Sequence, residues 1–169
     1  MHRFFQYLIL FGVLAALQVF LFDNLQLNLY VHPFVYLAFV LLLPMQINGN
    51  LLLLLAAATG AAMDFLSGTP GIHTIATTAA AFCRPLLLRL FAGKELIGDG
   101  GIPNARRIGG GKFFRYALAF IVVHAVVFFT LETLSVAGIL FTLLRAGISV
   151  ACTLAVVWVV QRLFIKAAQ

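Results

Sequence analysis

Apolar runs of about twenty residues, separated by short polar stretches that hold nearly all of the charge, constrain this chain more than any other feature. A helical run of that length matches the hydrocarbon thickness of a bilayer, and a helix lets the segment satisfy its own backbone there. Hydrophobic residues make up 63% of the 169 and charged residues only 9%, against about 45–50% and about 25% in an ordinary soluble domain. No globular core hides so much apolar surface, so lipid is the expected solvent of this chain.

Six transmembrane helices are predicted, at about residues 4–22, 33–45, 51–66, 71–91, 114–134 and 138–164, as a single all-α domain over residues 1–169. The first follows Arg3 and stops at Asp23-Asn24, whose short polar side chains favour turns. Its length and the lack of a small-residue cleavage site make it a retained helix rather than a signal peptide. Pro33 suits the first position of the second span, which is short and fades between Pro44 and Asn50. The third and fourth form a hairpin around Ser67-Gly68-Thr69-Pro70-Gly71. Pro85 removes a backbone donor and is expected to kink or end the fourth helix near Arg84, leaving residues 86–91 along the interface. A second tight hairpin, around Ser135, joins the fifth span to the sixth. Small residues from Ala56 to Ala62 and from Thr77 to Ala81 predict a tight central pair of the third and fourth helices. The first, second and fifth are then expected to face lipid or a partner.

Orientation follows from the cations, because Lys and Arg bias short loops towards the cytoplasm. Six spans place Arg3, Arg89, Lys94, Arg106, Arg107, Lys112, Arg115, Arg162 and Lys166 on one side, nine of the eleven basic residues, and none on the other. Both termini are therefore expected in the cytoplasm. The net charge of +6 thus reads as topology, and nucleic-acid binding is not expected. The glycine-rich stretch 93–112 is predicted to be a flexible cytoplasmic tether. Its Gly111-Lys112 pair lacks the rest of a phosphate loop: Arg106 stands where the first glycine belongs and Phe113 where a hydroxyl is needed.

An ionisable group inside a span costs about 2.5 to 3.5 kcal/mol, so each needs a partner or a purpose. Six qualify: Asp64, His73, Arg84, His124, Glu132 and Arg145. Asp64 and His73 flank the third–fourth hairpin at a similar depth, while Arg84 lies about 16 Å further in and does not reach Asp64. Arg145, about 10 Å below the outer end of its helix, is expected to pair with Asp64 and Glu132. An outer cluster of Asp64, His73, Glu132 and Arg145 that fixes helix pairing is the expectation, with a ligand site as the alternative. His124 at mid-membrane is expected to be a neutral imidazole bonded to a carbonyl. Neither Cys83 nor Cys152 suggests a disulfide or thiolate metal site, and both read as packing residues. No metal site, cofactor motif, nucleophile elbow or zinc-protease helix is present in the sequence. An acid/base pair of Asp64 and His73 is the one enzymatic reading the residues permit.

The stretch Gly60-Ala61-Ala62-Met63-Asp64-Phe65-Leu66-Ser67-Gly68-Thr69-Pro70-Gly71-Ile72-His73 resembles the G-x-x-x-D and small polar turn of the bacterial rod shape-determining protein MreD family. The Leu41-Leu42-Leu43-Pro44 ending of the second span, the Arg84-Pro85 pair, and His124 with Glu132 are similar to that family in order and spacing. The resemblance covers the whole chain as a pattern of length and helices. It implies a non-enzymatic inner-membrane scaffold of the cell-elongation machinery, needing no cofactor. Such a subunit pairs with the single-span protein MreC and through it links MreB filaments to the peptidoglycan synthases. It also implies a six-helix arrangement like that of the substrate-binding subunits of energy-coupling-factor transporters, which makes a small-molecule-binding transport subunit the alternative function.

Overall fold

A computed structural model describes residues 2–23, 32–133 and 139–167, with side chains over 7–20, 32–133 and 140–163. Every regular element among them is helical. In chain order these are α1 (His2–Ala16), which passes into a π-helical stretch at Leu17–Asp23, the five-residue α2 (Leu37–Leu41), α3 (Gly49–Ser67) and α4 (Ile72–Phe91). Then follow α5 (Lys94–Gly98), α6 (Ala105–Ile108), α7 (Gly110–Glu132) and α8 (Ile139–Ala167). Asn24 and the turn around Ser135 lie outside the described residues.

Four helices, α3, α4, α7 and α8, are long and apolar enough to cross a bilayer. They correspond to the third to sixth spans expected from the sequence. α4 packs along α3 on one side and along α7 on the other, and α7 in turn meets α8. Close approach of α3 and α4 follows from spacing: Ala56, Gly60 and Met63 on α3 and Ala76, Thr77, Ala80 and Ala81 on α4 are buried, each set on one helical face. At Gly60 the backbones nearly touch. A Cβ there would lie 2.5 Å from Thr74 Cα and 2.7 Å from the His73 carbonyl oxygen.

Four sequence expectations meet a different structure. α4 runs on through Pro85 to Phe91 instead of ending near Arg84, because one missing donor is tolerated in a membrane helix whose neighbours hold it in place. Residues 33–45 are no regular span: only Leu37–Leu41 is α-helical, between Pro33 and Pro44. That segment does not face lipid, since residues 33–43 are buried throughout, and α7 is central rather than peripheral. The glycine-rich stretch is built structure rather than a loose tether. It contains α5, α6 and the start of α7, and it is held by Met45 N–H donating to the Gly101 carbonyl (2.9 Å), by the Gln46 side chain and Gly98, and by Arg107 and the Asp99 carbonyl (3.1 Å).

Candidate functional site

Non-helical backbone at membrane depth survives only when every N–H and C=O finds a partner inside the protein. Many backbone groups of the segment 32–45 are supported in this way by side chains from four other elements. At its start, the N–H groups of His32, Phe34 and Val35 donate to Ser149 Oγ (2.9 Å), Thr153 Oγ1 (2.9 Å) and Gln18 Oε1 (2.8 Å). Ser149 and Thr153 are one helical turn apart on α8, and Gln18 belongs to the π-helical stretch.

At the other end the carbonyls at and just beyond the end of α2 meet Arg84. This guanidinium, 1% exposed, donates to the carbonyls of Leu41 (3.3 Å), Leu43 and Pro44 (3.4 Å), and its Nε donates to Tyr116 Oη (3.0 Å). Tyr116 itself donates to the Leu41 carbonyl at 3.1 Å. A planar fork with five donors fits a cluster of carbonyls, and the cation lies at the negative end of a helix.

Between these two ends lies a buried imidazole–phenol network. Tyr36 Oη is 2.9 Å from His73 Nδ1 and 2.8 Å from His124 Nε2. His32 completes it, its ring 6.3 Å from that of His73, with Phe34 and Phe128 wedged among them. Three of the four histidines in the chain thus meet in one place. A phenol donates one hydrogen bond, so of the two imidazole nitrogens on Tyr36 one accepts its proton and the other can present an N–H. His124 is wholly buried with Nδ1 unbonded. Its partner is therefore a phenol and not the carbonyl expected. Among the described residues, no group of three or more His, Cys, Asp or Glu side chains is arranged to hold a metal ion.

Asp64 and Arg145 belong to different neighbourhoods. Asp64 accepts from the Thr69 and Thr74 hydroxyls and from the backbone N–H groups of His73 (3.0 Å) and Thr74 (2.8 Å). Those N–H groups are in the first turn of α4, whose N-cap is Gly71 and supplies no side chain. Asp64 is therefore a cap reaching in from the preceding helix, with its charge at the favourable end of α4. Its carboxylate takes the backbone of His73, while Tyr36 engages that residue's ring. Arg145 instead pairs with Glu132 at 3.3 Å across the α7–α8 boundary, and its guanidinium lies 5.5 Å from the centroid of the Phe129 ring. Asp64→Ala should destabilise the protein by about 2 kcal/mol, since it orphans two backbone donors in a low-dielectric site. Chemical unfolding in detergent measures this, and an unchanged midpoint would mean that α4 is capped by something else.

Sequence reasoning found Asp64, His73, Arg84, His124, Glu132 and Arg145 but passed over His32, Tyr36, Tyr116 and Gln18. The signal available for these was a polar atom inside an apolar run, at Gln18 and Tyr36 most clearly. Together the fold and this interior describe a helical membrane protein whose buried polar groups hold an irregular segment in place. Comparison of the chain with models of known families, with characterised proteins and with solved structures returns no match.

Proposed function

We propose that this chain is a non-enzymatic scaffold subunit of the bacterial cell-elongation machinery, of the MreD kind. It crosses the inner membrane six times with both termini in the cytoplasm. α1 with its π-helical continuation supplies the first crossing and the buried segment 33–45 the second, in an arrangement like that of energy-coupling-factor substrate-binding subunits.

One observation carries the reading. The stretch 60–73, on which the resemblance rests, works as a connector: Gly60 admits the α4 backbone, and Asp64 caps α4 through Thr69, Thr74 and the His73 N–H. A carboxylate so engaged is a structural group, and this favours a scaffold over an acid/base pair. Large apolar side chains such as Phe65, Phe82, Leu86, Leu90 and Leu140 are exposed on α3, α4 and α8, where lipid or a partner helix would cover them. The basic residues of α5, α6 and the start of α7 gather with Arg162 at one end of the helices, in keeping with that end being cytoplasmic. MreC is the direct partner in this proposal, with MreB and the peptidoglycan synthases as further members of the assembly.

Affinity purification of the tagged full-length chain from its native membranes, followed by mass spectrometry, tests the reading. The single-span MreC should be retained, and depletion of the chain should change cell width. Recovery without that partner, together with tight binding of a small molecule by the isolated protein, would replace the scaffold with the transport-subunit alternative.

A further inference from the structure

Where α6, the start of α7 and the last turns of α8 come together, the protein holds a cavity of about 770 Å³, remote from the Tyr36 network. Trp158, Val159, Leu163 and Ala105 give it apolar walls, and the guanidinium-bearing Arg106 and Arg162 stand beside them. Gln161, 1% exposed, accepts the Ala105 N–H at 3.2 Å and so ties α6 to α8. Arg162 lies 5.5 Å from the centroid of the Trp158 ring, a cation–π distance that orders the arginine without neutralising it. Among the described residues neither Arg106 nor Arg162 has a carboxylate within ion-pair reach. The cavity wall also includes Gly110, the first residue of the 23-residue α7, which has no side-chain cap; such a helix start adds to the preference for an anion.

Both arginines are exposed at the rim of a half-open apolar cavity, where a headgroup can reach them while the hydrocarbon-like walls lie behind. That space opens just where the apolar stretch Leu140–Leu163 of α8 ends, which is the depth of lipid headgroups if α8 crosses a bilayer. Its chemistry is cationic at one end and hydrocarbon at the other. An inorganic phosphate would match only the first half. The geometry points to a binding site for a single anionic phospholipid, its phosphodiester between Arg106 and Arg162 and an acyl chain along Trp158 and Leu163. This assignment needs only that the helices cross a membrane and does not depend on the scaffold reading.

Trp158 is the only tryptophan in the chain, so its fluorescence reports on the cavity directly. The full-length protein would be reconstituted in phosphatidylcholine vesicles and titrated with phosphatidylglycerol brominated on its acyl chains, or with brominated phosphatidylcholine. Half-maximal quenching by the anionic lipid is expected at a mole fraction about thirtyfold lower, as two cations near a headgroup would give. The double variant Arg106→Gln/Arg162→Gln should quench equally with both lipids, while Arg89→Gln, an exposed cation on α4, should keep the preference. Millimolar inorganic phosphate should leave it unchanged. Equal quenching by the two lipids in the native protein overturns the proposal, and that comparison stands even if the double variant fails to fold. A preference that survives the double substitution, vanishes equally with Arg89→Gln, or is abolished by inorganic phosphate also overturns it.

Discussion

Arg84→Met is expected to lower the stability of this protein by about 3–5 kcal/mol, because it removes the hydrogen bonds of a buried guanidinium, each worth about 1.5–3 kcal/mol. Methionine fills much of the same volume and belongs in a membrane helix, so the loss does not come from a void. It comes chiefly from the Leu43 carbonyl, which Arg84 serves, and from the charged donor lost at Leu41 and Pro44, which keep only Tyr116 Oη and the Ile47 N–H. Each carbonyl left without a donor costs about 1–3 kcal/mol. Arg84→Lys should recover only part of the stability, because an ammonium cannot present a planar fork to three oxygens. Unfolding midpoints in a mixed detergent series give the measurement. Native-like midpoints for Arg84→Met would show that water or other donors serve those carbonyls, and the role assigned to Arg84 would be wrong.

Gly60→Ala should be nearly as damaging, at about 3 kcal/mol, the upper end of what overpacking costs. The added methyl would sit 2.5 Å from Thr74 Cα and 2.8 Å from Thr74 N. Backbone cannot rotate away as a side chain does, so α3 and α4 would have to part. Alanine is the better helix former by about 1 kcal/mol, which makes the sign of the effect informative. Gly12→Ala is the matched control: nothing lies within 4 Å of a Cβ there, and it should be neutral or slightly stabilising. Similar behaviour of the two variants would dissolve the close contact.

The long helices were legible because an apolar run of bilayer length has few other fates, and α3, α4, α7 and α8 begin and end within a few residues of the expected spans. Asp64 was legible only in part: its nearness to His73 follows from the hairpin, but the expected pairing with Arg145 does not form, and its role as a cap held by Thr69 and Thr74 was missed although both lie within ten residues of it. What the sequence hid is tertiary. A run apolar on every face, such as 33–45, reads as a lipid-facing span whether it faces lipid or fills a core, and only Pro33 and Pro44 hinted that it would not be a regular helix. Tyr36 looks like packing until His73 and His124 arrive from elements 37 and 88 residues away. Glycines between 93 and 112 suggest freedom when counted locally. Their order comes from Met45, Gln46 and Gln161, distant residues that no local pattern names.

The side-chain-supported segment 32–45 also bears on how the chain is made. A ribosome delivers it before its support, since Tyr116, one of the donors to its Leu41 carbonyl, lies 75 residues later. At synthesis rates of about 5–20 residues per second, that donor arrives roughly 4 to 15 s afterwards. Hydrocarbon offers nothing to bare amides in the meantime. The segment must therefore wait at the insertion machinery or the interface until α4 and α7 have entered, so the middle of the finished protein is the part that settles last.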